Sequence, residues 1–475
     1  LTLSIEDVLP LVLPENSPIT VVIGGGIGGL TAALHCARNG HRVTLLEKNE
    51  AVGGIVSRHT LAGVNLDGGA ESFSKRSPRV PEFLETLGLG QHIVTPSTAG
   101  TWLFSADASG KTHTAPLPRT GLLGIPGSPL ARDVRRVIGL PGAIRAASDR
   151  WRKPDASFEA TTLGQLVRAR LGPATLDRLV RPVVGGVYAA DPDTLAVDAI
   201  SPSLRAKLLS TGSLTKAVKQ LSAQAEPGSA VRGVEGGNYE IVLAIVAELE
   251  ALGATITTGE PVTRLRRRDH GWTVDDTLQA DNVILACEPV AAASLLAGVN
   301  RELVPFTAQP NATRIDTIVV KEAKLNGAPR GTGMLLGQTH GLVTAQALTH
   351  QSVKWPWLAK RLERNIHVIR LTYREEASSL TNGVLVRSTD ATESLRNASI
   401  LLGVSLTEKK LLDNDSVTWT QWPVTPASVR SIVAKLPNYP GLGITGSWVT
   451  GTGLASVIPG SLDEAERIVQ ATRPH

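Results

Sequence analysis

The first clear pattern in the chain is a β-branched apolar run, Ile19-Thr-Val-Val-Ile23, bounded by Pro18 and Gly24, which predicts a strand. Six residues, Gly24-Gly25-Gly26-Ile27-Gly28-Gly29, lead into Leu30–Asn39, which has helical character and stops at Gly40. A second short run, Arg42-Val-Thr-Leu-Leu46, delivers Glu47. Further on, Glu240–Leu252 reads as a helix and Ala280–Ala286 as a strand. Residues 81–224 read as helices separated by Pro/Gly breaks at Pro116–Pro129 and Gly139–Gly142, with a further helix break at Pro182 and Gly185-Gly186. In 296–431, β-branched runs (Ile315–Val320, Ile366–Thr372, Ser416–Trp422) alternate with helical segments, which predicts a mixed sheet. There is no internal repeat and no low-complexity linker.

Strand, glycine turn, helix, strand and acid, in that order, predict a dinucleotide site. Gly24 permits the sharp turn, Gly26 lets the backbone approach a pyrophosphate, and Gly29 lets the helix pack on the strand. The helix N-terminus offers N–H groups and a positive dipole end to phosphates. Glu47 stands where a carboxylate accepts hydrogen bonds from ribose hydroxyls, which disfavours a 2′-phosphorylated ribose. Glycine pairs follow at Val52-Gly53-Gly54-Ile55 and Val64-Asn-Leu-Asp67-Gly68-Gly69-Ala70-Glu71-Ser72-Phe73. They let the backbone run beside an extended ligand. A nicotinamide enzyme does not need them there, so FAD is the expected cofactor.

These residues resemble the flavin amine oxidase superfamily, and within it the protoporphyrinogen/coproporphyrinogen oxidases of haem synthesis. Three further stretches carry the narrower likeness: Leu179–Leu195, Gly233–Leu265, and Pro440–Ala455 with its Gly446-Ser-Trp-Val-Thr-Gly451-Thr-Gly motif. The resemblance implies FAD contacts at Gly24, Gly25, Gly26, Ile27, Gly28, Gly29, Glu47, Lys48, Gly53 and Gly54. It extends them to Gly69, Ala70, Glu71, Ser72, Val262, Trp422, Gly446, Thr452, Gly453 and Leu454. By the same likeness Val262 meets the adenine with its backbone, Trp422 lies near the flavin, and Thr452–Leu454 lie against it. Arg76 is the candidate for a substrate propionate. The mechanism it implies needs no catalytic side chain, and none is named. The chain departs from the family pattern at Ile55, where a basic residue is usual, and at Ala70, where proline is usual. After Trp422 a family loop is missing, so the wall of the active site differs.

The expected fold class is therefore α/β: a Rossmann-like FAD domain of the amine-oxidase type from 1–80, 225–295 and 432–475. A helical domain (81–224) and a mixed-sheet substrate domain (296–431) are interleaved with it. A chain of 475 residues is long enough for two or three such domains. The net charge of +5 gathers in Arg132–Arg136, Arg145–Lys153 and Arg264–Arg268 with a single aromatic, Trp151, among them, which fits a solvated surface or an acidic ligand and not nucleic acid. Cys36 and Cys287 lie in apolar segments and read as reduced core residues, and the histidines lack metal-ligand spacing. No apolar stretch is long enough to span a bilayer, and Leu1–Asn16 resembles no targeting peptide. The expected location is the reducing cytoplasm, with peripheral membrane contact left open.

The resemblance implies a porphyrinogen as substrate and dioxygen as acceptor, with hydrogen peroxide released. Two other classes stay open. One is an FAD-dependent amine oxidase or desaturase, disfavoured by having only four tyrosines for an aromatic cage. The other is a catalytically idle flavin-binding scaffold.

Overall fold

The computed structural model describes residues 13–75, 77–118, 121–152, 160, 162–188, 191–200, 202–223, 231–305, 310–375, 385–386, 390–422, 424 and 426–472. Five strands form a parallel sheet in the order Thr255–Thr257, Arg42–Leu46, Ile19–Ile23, Asn282–Leu285, Leu442–Ile444. Three distant stretches of chain thus share one sheet. Its central strands are buried on both faces, as a parallel sheet covered by helices requires. Helix Ile27–Arg38 packs on one face with Tyr239–Ala251 and Leu454–Thr472. The other face meets the antiparallel strands Leu265–Arg267, Trp272–Val274 and Leu278–Ala280 and helix Pro289–Ala297.

A second, eight-stranded sheet has the order 385–386, Leu411–Gln421, Asn311–Lys321, Ile366–Glu375, Ala347–His350, Gly333–Leu336, Thr101–Ala106, Thr112–Pro116. Ile318, Val320, Ile369 and Leu371 point to the outer face, where helix Thr392–Leu402 covers them. Alternation sends Val319 and Val368 to the inner face, against Leu61, Leu66, Trp355 and Trp357. His59 and Asp415, both buried, are hydrogen-bonded on that face and pin the hairpin Arg58–Leu61/Val64–Asp67 to the sheet.

The stretch 81–224 is thus not helical throughout: Thr101–Ala106 and Thr112–Pro116 belong to the large sheet. A second departure concerns Pro182 and Gly185-Gly186, which interrupt nothing. Helix Arg181–Tyr188 runs through them because Leu176–Val180, just before, is wound as a π-helix. Proline removes one backbone donor and crowds the preceding turn, and a wider turn absorbs both. The break expected near Gly139 does occur: helix Arg132–Ala147 is kinked there, with Gly139 at φ +73°. No helix among the described residues is long and apolar enough to cross a membrane.

The helical region is held around one buried ion pair. Arg170 Nε donates to Asp149 Oδ1 at 2.7 Å, and both side chains are fully buried. The other oxygen, Oδ2, accepts from Ser213 Oγ (2.7 Å) and the Thr215 N–H (3.0 Å). Arg170→Met leaves that carboxylate without its cation and should cost about 3–5 kcal/mol of folding free energy. A fall in the denaturant midpoint is the expected reading; an unchanged midpoint would mean the pair supports nothing.

Candidate cofactor site

The turn after the first strand shows which glycine does what. Gly24 has φ +110°, and a Cβ there would lie 2.7 Å from the Ala286 backbone. At Gly29 it would lie 1.9 Å from the Gly24 carbonyl oxygen, so this position closes the helix onto the strand. Gly28 faces the other way: its Cβ would meet Ser461, Val457 and Gly446 at 3.1–3.3 Å. The N-terminal turn and the C-terminal Gly446 element therefore lie together. Gly26 alone of the four has nothing within 4 Å of such a Cβ. It is also the N-cap of helix Ile27–Arg38, carries no side-chain cap, and is followed by no acid in the first turn.

Glu47 ends the second strand with its carboxylate turned to this loop. Its Oε2 accepts from the Gly25 N–H at 2.6 Å, and Oε1 accepts from the Asn49 N–H (2.9 Å) and Nδ2 (2.7 Å). Next, the Gly53 N–H donates to the Gly25 carbonyl at 2.7 Å, and Gly26 and Gly53 pair as a bridge. Two glycine loops thus run side by side. A third strand of backbone joins them: the Ala70 N–H donates to the Ile55 carbonyl (2.9 Å), and a Cβ at Gly69 would lie 2.1 Å from that oxygen. Ser72 follows, half-buried.

This third strand is gripped by charges. Asp67, buried, accepts from the N–H groups of Asn238 and Tyr239, each at 3.0 Å, and so caps helix Tyr239–Ala251. Burial raises its carboxyl to about 6 against those bonds. Glu71 receives Lys354 Nζ at 2.5 Å and Gln351 Nε2 at 2.7 Å. Burial alone would raise its pKa, but the Lys354 and Arg370 charges and the two hydrogen bonds outweigh it and hold the carboxyl at about 2. Arg370, itself buried, donates to the carbonyls of Gly69 and Asp67, and Trp419 Nε1 donates to that of Gly68 at 3.2 Å.

Lys354, Gln351, Arg370 and Trp419 all come from the large sheet or the short helix beside it, and the sequence reading gave none of them a role. The signal available for Arg370 was a charge on the same face of its strand as Val368.

Lys48, Val262 and Trp422 line one cleft of about 440 Å³, with Thr263, Glu288, Val290, Ala291 and Ser294. Lys48 Nζ lies 3.1 Å from Glu288 Oε2. Trp422, expected near the flavin, is thus grouped with residues expected around the adenosine. At the far end, Gly446, Gly451 and Gly453 have φ of +105°, +102° and +91°. Thr452 and Gly453 are exposed, Gly453 has open space where a Cβ would stand, and Leu454 opens the last helix. Arg76 lies outside the described residues. Burial pushes the thiols of Cys36 and Cys287 up to about 12, and both are free, which suits inert core cysteines.

The open side of Gly26, the uncapped helix and the parallel glycine loops fit an extended dinucleotide. Residues 27–319 match the family of flavin-containing amine oxidoreductases. The chain belongs to that family. It is a flavoprotein oxidoreductase of α/β class with FAD as its cofactor. The chain is 29% identical over 363 residues to coproporphyrinogen III oxidase of Mycobacterium leprae (strain TN), covering 74% of this chain and 76% of the relative. Among solved structures, a candidate protoporphyrinogen oxidase from Exiguobacterium sp. 255-15 superposes with a TM-score of 0.79 at 22% identity, covering 96% of this chain and 99% of that one. Cyclohexylamine oxidase from Brevibacterium oxydans IH-35A shares the fold at a TM-score of 0.62 and 15% identity, with coverage of 96% and 99%.

Two outcomes follow from this geometry. Gly26→Ala adds a methyl group to open space at an ordinary φ of −66°. The apoprotein should keep its thermal midpoint while FAD binding falls by tenfold or more in a fluorescence titration; full FAD affinity would mean the space is not the cofactor's. Ionised Glu71, with its folded pKa below its unfolded one, stabilises the fold above about pH 4.5, and this is lost as the pH falls towards 2. Lys354→Met should therefore lose more stability, relative to the parent protein, at pH 7 than at pH 4. Equal deficits would leave the lysine a packing role only.

Proposed function

We propose that this flavoprotein oxidises a porphyrinogen in haem synthesis, preferring coproporphyrinogen III to protoporphyrinogen IX, with dioxygen as acceptor and hydrogen peroxide as co-product. The observation that carries this is the likeness to the Mycobacterium leprae coproporphyrinogen III oxidase across about three quarters of both chains. Bound FAD supplies the chemistry, accepting a hydride equivalent and passing two electrons to dioxygen. Three such rounds remove six electrons and six protons from the macrocycle and convert three dioxygen molecules to peroxide.

In this reading the chain's own residues bind and orient. Gly24–Gly29 hold the pyrophosphate at the helix N-terminus and Glu47 accepts from the ribose. Lys48, Val262 and Trp422 enclose the adenosine end. Gly53, Gly54 and the strand Gly69–Ser72 carry backbone alongside the cofactor, and Gly446 with Thr452–Leu454 borders the flavin. The large sheet covers this arrangement as the substrate domain. The net positive charge suits a substrate with four carboxylates better than one with two. The proposed setting is the cytoplasm.

An amine oxidase is the second reading, supported by the shared fold. Three of the four tyrosines it would draw on are engaged elsewhere. The Tyr239 hydroxyl is hydrogen-bonded to Glu240, Tyr373 faces Ser394 and Asn397 on the outer side of the sheet, and Tyr439 bonds Asn300.

Anaerobically prepared coproporphyrinogen III and protoporphyrinogen IX, each mixed with holoenzyme in aerated, detergent-free buffer, decide between them. Porphyrin fluorescence should rise with both, with the higher kcat/KM for coproporphyrinogen and three peroxides per porphyrin. A higher kcat/KM for protoporphyrinogen reverses the preference. No turnover of either, with turnover of a primary amine, replaces the proposal with the second reading.

A further inference from the structure

A second cleft, of about 350 Å³, shares no residue with the cofactor loops. One wall is the edge strand Thr112–Pro116 with its neighbour Thr101–Ala106. The opposite wall is helix Arg132–Ala147 where it breaks at Gly139, together with the π-helical turn that carries Arg178. Arg136, Arg178 and His113 line the cleft with Ser105, Thr112 and Thr114, and no described lining residue is acidic.

Among the described residues, neither arginine of the cleft forms an ion pair. Arg178 is half-buried, and its Nη1 reaches only the Val137 carbonyl, at 3.5 Å, the long limit of a hydrogen bond. The acid next to it in sequence, Asp177, turns instead to Arg181 Nε at 3.5 Å. Arg136 forms no ion pair among the described residues. The Asp107 carboxylate stands 3.9 Å from His113 Nε2, too far for a hydrogen bond. Two guanidinium groups that face one cavity without an acid repel each other, and their planar donor forks match the oxygens of a phosphate or carboxylate.

We propose that this cleft is a binding site for a phosphate or carboxylate anion. It is independent of the reading of the cofactor site. The anion has two sources: a free small molecule, or the head group of an anionic lipid. The second is in view because Leu140, next after the break, is 55% exposed and Ile144, one turn on, is 57% exposed, which offers apolar side chains to a lipid surface.

The test uses holoenzyme, inorganic phosphate in a calorimetric titration, and sedimentation with vesicles of phosphatidylglycerol or of phosphatidylcholine. Saturable binding of phosphate, or retention by phosphatidylglycerol vesicles alone, is expected. Either should weaken about tenfold or more in Arg136→Gln and Arg178→Gln, with the flavin absorbance unchanged. Arg136 is exposed, so its variant carries the test if the Arg178 variant fails to fold. Phosphate binding without vesicle retention identifies a free anion. Vesicle retention that Leu140→Ser also abolishes identifies a lipid head group. Neither kind of binding, or binding unchanged in Arg136→Gln, overturns the proposal.

Discussion

Arg370 places a permanent positive charge on the inner face of a sheet, and the fold tolerates it only because the loop Asp67–Glu71 meets it. The guanidinium donates to two loop carbonyls, and the Glu71 carboxylate lies close enough to feel its charge. Register follows from this. A slip of one residue in strand Ile366–Glu375 would turn Arg370 to the outer face, away from the loop carbonyls and onto a face where Arg314 already engages Asp316, Glu375 and Glu393. From Arg370 a continuous set of close backbone contacts runs inward. Gly69 and Ala70 lie on the Ile55 carbonyl, Gly53 bonds the Gly25 carbonyl, and Gly25 bonds Glu47. The shape of the nucleotide turn is therefore referred, link by link, to the sheet that covers it.

How much of this could be read from the sequence depended on the range of the interaction. The strand–turn–helix element was legible because much of its constraint is local: Gly24 turns the chain at φ +110°, and a side chain at Gly29 would strike the Gly24 carbonyl. Gly28 was less so, since what it packs against, Val457 and Ser461, lies at the other end of the chain. Strands Thr101–Ala106 and Thr112–Pro116 were read as part of a helical region because neither alternates cleanly. The former shows two adjacent buried residues, Leu103 and Phe104, one facing the helical region and one facing the outer helix. Only the pairing with Gly333–Leu336 makes sense of it. The roles of Lys354 and Arg370 were illegible for the same reason: a charge in a short helix or a strand says that a partner exists, not where.

The π-helical turn at Leu176–Val180 is a different kind of miss. Pro182 and two glycines are reasons to end a helix when each is weighed as a local preference. Here tertiary packing overrides them. Gly186 is pressed against Leu335 and Gly337 against Pro182 and the Asp177 carbonyl, so small residues are needed where helix and sheet touch. The glycines that weaken the helix are what let it approach.

Electrostatics ties these observations to the cofactor. FAD carries a pyrophosphate, and the segment beside the glycine loops contains two carboxylates, Asp67 and Glu71, that would oppose it if both stood free. Neither does. Asp67 is turned into the start of a helix, where two N–H groups and the positive dipole end take up its charge. Glu71 is paired with Lys354, and Arg370 adds a second cation within its field. The glycine loops alone would present an anionic cofactor with an acidic neighbour. With the sheet docked, that neighbour becomes a neutralised, hydrogen-bonded wall. In the proposed site, cofactor retention and docking of the sheet are coupled through Glu71, Lys354 and Arg370, so that loosening the sheet would weaken the site without touching any residue of the glycine turn.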